Sequence, residues 1–534
     1  RTQHERYRAK GADEGDTSWQ APRRIDRFFT RLNGEGWVYD RPQHVYVVAA
    51  DGTGSPRNLT PGEHEFGRCS WLRDSSGVVS SAARHDTWDL DFFKDLQVVS
   101  LDGRIRPLTH QTGDYWWPSV SPDGTQVAFI GFDDPRTNPQ NARVGVVSLD
   151  GSTPHRWISS ALDRTFETTA GNSSVEWVDD QTLLGLAEDR GENHVWRVHL
   201  DGTAPERVTT GAITVKDFSA ANGVVAHTAS AVDSLTDVFV HAASGPQRLT
   251  TFAATYRSSA SPQTWERFAV PCADGSGLEI DAWIMRPTDF DASRRYPVVL
   301  NVHGGPHTQY GETFFDEAQF QAKAGFVVVM CNPRGSSGRE QSWGQAILGP
   351  SHPVAPGKGW GSVDVDDVMA VLDAALARFT FCDPDRVGMQ GGSYGGYMAT
   401  MLAGRFSHRF RAICTERSVN NLLTEEFTSD ISTIFKVEHG LSHLEAVEEY
   451  ERMSPIRYVR DINCPVLIVH SEDDLRCPIN QAEELFVAMR LLGKDVTFYR
   501  FPGETHELSR SGSPVHRRQR AEIILDFFAA HLAS

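Results

Sequence analysis

One short unit recurs through the first half of the chain. "VYVVAADG" (45–52), "LQVVSLDG" (96–103), "VGVVSLDG" (144–151) and "VWRVHLDG" (195–202) are versions of it. Their Asp-Gly turns fall at Asp51-Gly52, Asp102-Gly103, Asp150-Gly151 and Asp201-Gly202, a period of about 50 residues. Most are followed by a Leu-Thr or Val-Thr pair: Leu59-Thr60, Leu108-Thr109, Val208-Thr209. A second turn comes later, best seen in "SPDGTQVAF" (121–129). Alternating apolar strands joined by Asp-Gly turns are antiparallel hairpins. About four strands per repeat predicts the blades of a β-propeller. A two-sheet sandwich is the rival, but it does not repeat its turn chemistry at a fixed period. The repeats fill residues 1–262, enough for about five blades.

The pattern changes from residue 263 onward. "YPVVLNV", "GFVVVMC", "RVGMQ", "CPVLIVH" and "VTFYRF" are short, nearly continuous apolar runs. Such runs suit parallel strands buried on both faces. Helical patterns separate them; in 363–379 apolar residues recur at 365, 368, 369, 372 and 376. Alternating strand and helix predict an α/β domain over 263–534.

Inside that domain, "GMQGGSYGGYMA" (388–399) sets one serine among glycines. Gly391, Ser393 and Gly395 form a G-x-S-x-G. Its strand-before, helix-after setting is that of the nucleophile elbow of an α/β-hydrolase. A serine hydroxyl needs a base to take its proton, and in this fold the partners follow in the order acid, then histidine. "CPVLIVHSEDDLRCP" (464–478) ends a strand on three carboxylates, Glu472, Asp473 and Asp474. Spacing alone leaves all three open. His506 follows, in the loop after the next strand. For the oxyanion, "NVHGGPHTQYG" (301–311) offers glycine N–H groups after an early strand, and the Tyr394 N–H follows the nucleophile.

Composition excludes other classes. The 534-residue chain is 40% hydrophobic and carries a net charge of −18, which argues against a polyanion-binding surface. "HRRQR" (516–520), the densest basic cluster, reads as a solvated or substrate-facing helix start. Seven cysteines lack any metal-ligand spacing and read as buried free thiols of a reducing compartment. No apolar run approaches the ~18–20 residues of a membrane helix. The expected location is the cytoplasm, with no cofactor, no metal, no nucleic acid and no membrane partner.

With propeller, elbow, acid and histidine in order, the chain resembles the prolyl oligopeptidase family of serine peptidases, most nearly its acylaminoacyl-peptidase-like branch. The likeness is strongest in "HGGPHTQYG", "NPRGSSG", "GGSYGGYM", "HSEDDLRCPINQAEELF" and "GETHELSRSGSPVHRRQR". The resemblance implies a catalytic triad of Ser393, Asp474 and His506, with Asp474 chosen over Asp473. It implies Gly305 and Tyr394 N–H groups as oxyanion donors, since His303 stands where several relatives have tyrosine. It implies that Arg476 contacts the substrate backbone. The propeller would cap the site, so that only short or unfolded peptides enter. The family's propellers typically have seven blades, so roughly 100 or more N-terminal residues of a longer polypeptide are expected to be missing.

The resulting expectation is a serine peptidase that hydrolyses short peptides through an acyl-enzyme and releases N-acylated terminal residues. Carboxy-terminal trimming is the second reading, with Arg476, Arg510 and Arg517 as a carboxylate clamp. A dipeptidyl peptidase is disfavoured because the propeller half shows no convincing glutamate pair. A carboxylesterase would share the triad without needing a propeller. A propeller binding module with a dead hydrolase conflicts with the intact serine, acid and histidine. Homo-oligomer formation stays open.

Overall fold

The computed structural model describes residues 22–169, 171, 174–242 and 245–532. Its N-terminal part is a series of antiparallel sheets. Two two-stranded ladders come first, Arg31–Leu32 with Gly36–Trp37 and Tyr46–Val47 with Arg57–Asn58. Four four-stranded units follow, over 70–107, 113–157, 175–207 and 214–248; a parallel bridge between Asn193 and Thr214 joins the last two. This is β-propeller-like architecture. Among the described residues no pairing closes the first sheet onto the last.

The repeat has a hydrogen-bond explanation. In the four full units the recurrent strand is the third and the hydroxyl that follows the fourth caps it; the first copy, Tyr46–Val47, keeps the same bond within its two-stranded ladder. Thr60 Oγ1 accepts the Val45 N–H at 2.9 Å, Thr109 Oγ1 the Leu96 N–H at 3.1 Å and Ser159 Oγ the Val144 N–H at 2.9 Å. Thr209 Oγ1 accepts the Val195 N–H at 3.0 Å and Thr250 Oγ1 the Val238 N–H at 2.9 Å. Buried donors require partners, which is why the unit keeps a hydroxyl there. Five units carry this bond, and the last four are full four-stranded units.

The C-terminal part is one eight-stranded sheet. Its strands are β1 (Trp265–Pro271), β2 (Glu279–Met285), β3 (Tyr296–Val302), β4 (Val327–Asn332), β5 (Cys382–Gly392), β6 (Ala412–Glu416), β7 (Val466–Ser471) and β8 (Val496–Phe501), in the order β1-β2-β4-β3-β5-β6-β7-β8. Pairing is antiparallel at β1–β2 and β2–β4 and parallel from β4 through β3 to β8. Helices α1 (Val363–Arg378), α2 (Tyr394–Arg405), α3 (Leu422–Thr428), α4 (Asn480–Leu491) and α5 (Pro514–Leu532) belong to the same part. This is the α/β-hydrolase arrangement.

Successive strand residues feed opposite cores. Val298, Leu300 and Val302 lie in the main cluster with α1 and α2, while Val299 joins Phe528 and Leu532 of α5. Both faces are covered, so β3, β4 and β7 read as unbroken apolar runs. Strand β8 departs from that expectation. As the edge strand it exposes Thr497, Tyr499 and Arg500. Six of the seven cysteines are buried free thiols, but Cys69 is exposed.

The basic cluster 516–520 is not a uniformly solvated helix start. Arg520 is buried; its Nη2 donates to Glu317 Oε1 at 2.7 Å and to Glu416 Oε1 at 2.6 Å. Burial alone would raise Glu416, but Arg520 holds it below the ordinary carboxylate range. This network ties α5 to the end of β6, directly beneath the serine loop.

The two parts meet through polar contacts. Arg190 of the third four-stranded unit donates to Asp281 of β2 at 2.8 Å, and Arg267 and Arg339 reach the same carboxylate. Arg31 donates to the Thr428 carbonyl at 2.6 Å.

Candidate active site

Ser393 sits between β5 and α2 with φ 60° and ψ −124°. Positive φ is uncommon for a residue with a Cβ, and strain of this kind concentrates at functional sites. The flanking glycines let the turn close. A Cβ on Gly391 would lie 2.2 Å from the Gly395 carbonyl oxygen, and one on Gly395 would lie 2.0 Å from that of Val302. No side chain fits at either place. The Ser393 N–H donates to the Glu416 carbonyl at 3.0 Å, which pins the turn to β6. The side chain is half-buried and lies against the Cys477 thiol.

Of the three carboxylates after β7, only Asp474 turns inward. Glu472 and Asp473 are exposed, and Glu472 pairs with Arg500. Asp474 Oδ1 accepts the backbone N–H groups of Arg476 and Cys477 at 3.0 and 2.9 Å. Its Oδ2 lies 2.7 Å from His506 Nδ1. That contact fixes the imidazole so that Nε2 is left free to act as a base. Burial raises Asp474 to about 6. Burial also pushes His506 well below its usual value, and the Arg417, Arg510 and Arg476 cations add to the effect. His506 therefore rests neutral. Among the described residues no hydrogen bond joins Ser393 to His506; such contacts tighten when substrate binds.

Gly305 and Tyr394 lie on the loops that flank the serine. A Cβ on the neighbouring Gly304 would come within 3.1 Å of Ser393 Cβ, which places this loop directly over the nucleophile. Among the described residues neither the Gly305 nor the Tyr394 N–H donates to a protein acceptor. The Tyr394 ring points away, its hydroxyl bound to Asp364. His303 is a packing residue: its Nε2 meets Ser336 Oγ at 3.0 Å, and burial pushes it down to about 4.

Arg476 lies beside this cluster, its Nε donating to Asp430 Oδ1 at 2.8 Å. Each arginine of the expected carboxylate clamp has a carboxylate partner within the chain. Arg476 is paired with Asp430, Arg510 with Glu507, and Arg517 with Asp316. Three residues near the site escaped the sequence reading: Asp430, Asn33 and Arg417. Asn33 Oδ1 accepts the backbone N–H groups of Leu475 and His506, at 3.3 and 3.2 Å. Only Arg417 left a trace in the sequence, one residue past the carboxyl end of a parallel strand, where open α/β sheets place their ligands.

Among the described residues no group of His, Cys, Asp and Glu is arranged to hold a metal ion. No helix among them is long and apolar enough to cross a membrane.

Fold and site together define a serine hydrolase of the α/β-hydrolase type. Residues 312–534 match the model of the prolyl oligopeptidase family, and residues 118–254 match that of the LpqB lipoprotein β-propeller domain. Residues 312–534 therefore form a domain of the prolyl oligopeptidase family. The chain is 40% identical over 263 residues to the uncharacterized peptidase YuxL of Bacillus subtilis, covering 49% of this chain and 38% of YuxL. It is 25% identical over 497 residues to dipeptidyl-peptidase 5 of Porphyromonas gingivalis, covering 88% of this chain and 69% of that protein. The chain thus spans well under two thirds of YuxL. Among solved structures, the acylaminoacyl peptidase of Pyrococcus horikoshii superposes with a TM-score of 0.81 at 21% identity, covering 97% of this chain and 78% of its own.

Proposed function

We propose that the chain is a cytoplasmic serine peptidase of the acylaminoacyl-peptidase type, acting at one end of short peptides. The observation that carries this reading is the Asp474–His506 contact of 2.7 Å beside a serine held at φ 60°.

His506 Nε2 takes the Ser393 proton as Oγ attacks the scissile carbonyl carbon. The carbonyl π pair moves to oxygen, where the Gly305 and Tyr394 N–H groups receive it. The intermediate collapses, the C–N bond breaks, and His506 returns the proton to the leaving amine. Water then repeats the sequence on the ester, releasing the acid and restoring Ser393. Asp474 stabilises the imidazolium in both halves. Arg476, oriented by Asp430, donates to the substrate backbone. The propeller-like sheets restrict entry to short or unfolded chains, which distinguishes this reading from a carboxylesterase.

The test is incubation with a short peptide blocked at its amino end, its carboxyl end, both or neither, with products identified by mass. Release of an N-acylated residue supports the reading. Release of dipeptides from free amino termini only, or cleavage of simple esters without peptides, overturns it.

A further inference from the structure

Among the described residues Arg417 is a cation without a carboxylate partner, beside the nucleophile. It follows β6 directly, with φ 35°, its N–H donating to the Val469 carbonyl at 2.9 Å. Its guanidinium lies against Gly392, the residue before Ser393; a Cβ there would meet Cζ and Nη2 at 2.8 Å and Nη1 at 3.0 Å. The Nε atom is buried without a hydrogen bond. Among the described residues no carboxylate reaches the guanidinium within 4.0 Å. Of the nearby acids, Glu416 and Glu317 are engaged by Arg520, Glu507 by Arg510, and Asp474 by His506. Arginine stays charged in proteins. A guanidinium held partly out of water without an anion is costly, so the arrangement makes sense when a ligand brings the anion.

The position of Arg417 says which anion. It is the foremost charge acting on His506, the residue that returns a proton to the leaving amine. In an amino acid the carboxylate carbon is two bonds from the nitrogen, about 2.5 Å away. A group close to both Ser393 and His506 can meet that carboxylate when the first residue after the scissile bond is also the last. We propose that Arg417 anchors the terminal carboxylate of the leaving residue, so that the preferred substrates are N-acyl dipeptides, in which releasing the N-acylated residue also frees a single carboxyl-terminal residue.

This rests on the reading of Ser393 as the acylated residue, and the experiment separates the two. The kcat/KM for an N-acetyl dipeptide is measured against that for its C-terminal amide, in the wild type, Arg417→Met and Arg417→Lys. The free acid should be favoured by about tenfold to a hundredfold, the worth of a charge-assisted pair. Arg417→Met should bring the ratio to about one, and Arg417→Lys should keep part of it. Equal rates for acid and amide in the wild type, or an unchanged ratio in Arg417→Met, would overturn the proposal. A merely structural role would lower both rates together, which also overturns it. A second measurement needs no turnover and no variant: labelling of wild-type Ser393 by a fluorophosphonate, with the free amino acid or its amide present. Protection by the acid alone supports the anchor; equal protection by both, or by neither, refutes it. Protection by the acid with no cleavage of any peptide would sink the peptidase reading and leave the anchor standing.

Discussion

Asn33 and His506 are 473 positions apart, yet the Asn33 side-chain oxygen accepts the His506 backbone N–H at 3.2 Å. The same oxygen takes the Leu475 N–H, and the Asn33 backbone N–H donates to Asp430, which orients Arg476. One residue of the N-terminal ladder therefore braces both the acid loop and the histidine loop. Catalytic geometry in this chain depends on contact between its two parts.

Asn33→Ala should lower kcat/KM by about tenfold, because two backbone donors beside the site lose an acceptor at about 1–3 kcal/mol each. Far-ultraviolet circular dichroism should be unchanged, and fluorophosphonate labelling of Ser393 should slow. Wild-type kcat/KM in the variant would show that the ladder does not position the histidine.

Ser393→Ala should abolish turnover without unfolding the chain. Asp474→Asn should cost on the order of 10⁴ in kcat, as loss of the residue that fixes the histidine does elsewhere. Asp473→Asn should change little, since that carboxylate is exposed and its backbone N–H bonds Glu504 regardless of the side chain. Comparable losses at 473 and 474 would refute the assignment.

The parts of the site that could be read from the sequence are those set by local structure. Ser393 announces itself because a strand, a glycine-flanked turn and a helix are contiguous in the chain. Asp474 follows β7, a strand buried on both faces, so its neighbourhood is an apolar run that stands out, and His506 lies in the loop after the next strand, as the order of the fold requires. Asn33, Asp430 and the isolation of Arg417 depend on which distant segments approach them, and short motifs do not encode that. Arg520 departs from the reading of the basic cluster for the same reason. Arg520 looks like its solvated neighbours until Glu317 and Glu416, 203 and 104 positions away, fold onto it. The Leu-Thr repeat was visible as a period. Its cause, a hydroxyl capping the recurrent strand, lies in strand pairing that the period does not spell out.

Activity should persist into mildly acid solution. The base must be neutral to accept the serine proton, and burial together with Arg417, Arg510 and Arg476 pushes His506 well below 6.5, against the opposing pull of Glu507. The acid limb of kcat/KM should therefore lie below pH 6.5, with a plateau from about pH 6.5 upward. Removing one of those cations, as in Arg417→Met, should move the limb upward. The check is a profile from pH 4 to 8 on one peptide. A limb centred above 6.5 would contradict the burial argument.

Glu438 gives a stability prediction away from the catalytic groups. Burial raises its carboxyl to about 8, against a bond from Trp360 that lowers it. In the unfolded chain an ordinary glutamate titrates near 4.5. Between these values the unfolded chain has lost a proton that the folded chain keeps. Unfolding is then favoured increasingly as pH rises from 4.5 toward 8. Glu438→Gln removes that penalty while keeping the shape and an acceptor for Trp360. The melting temperature of the variant should exceed the wild type's by about 2 °C or more at pH 8, and the gap should close near pH 4.5. A gap independent of pH, or a variant less stable at pH 8, would show that Glu438 is ionised in the folded protein.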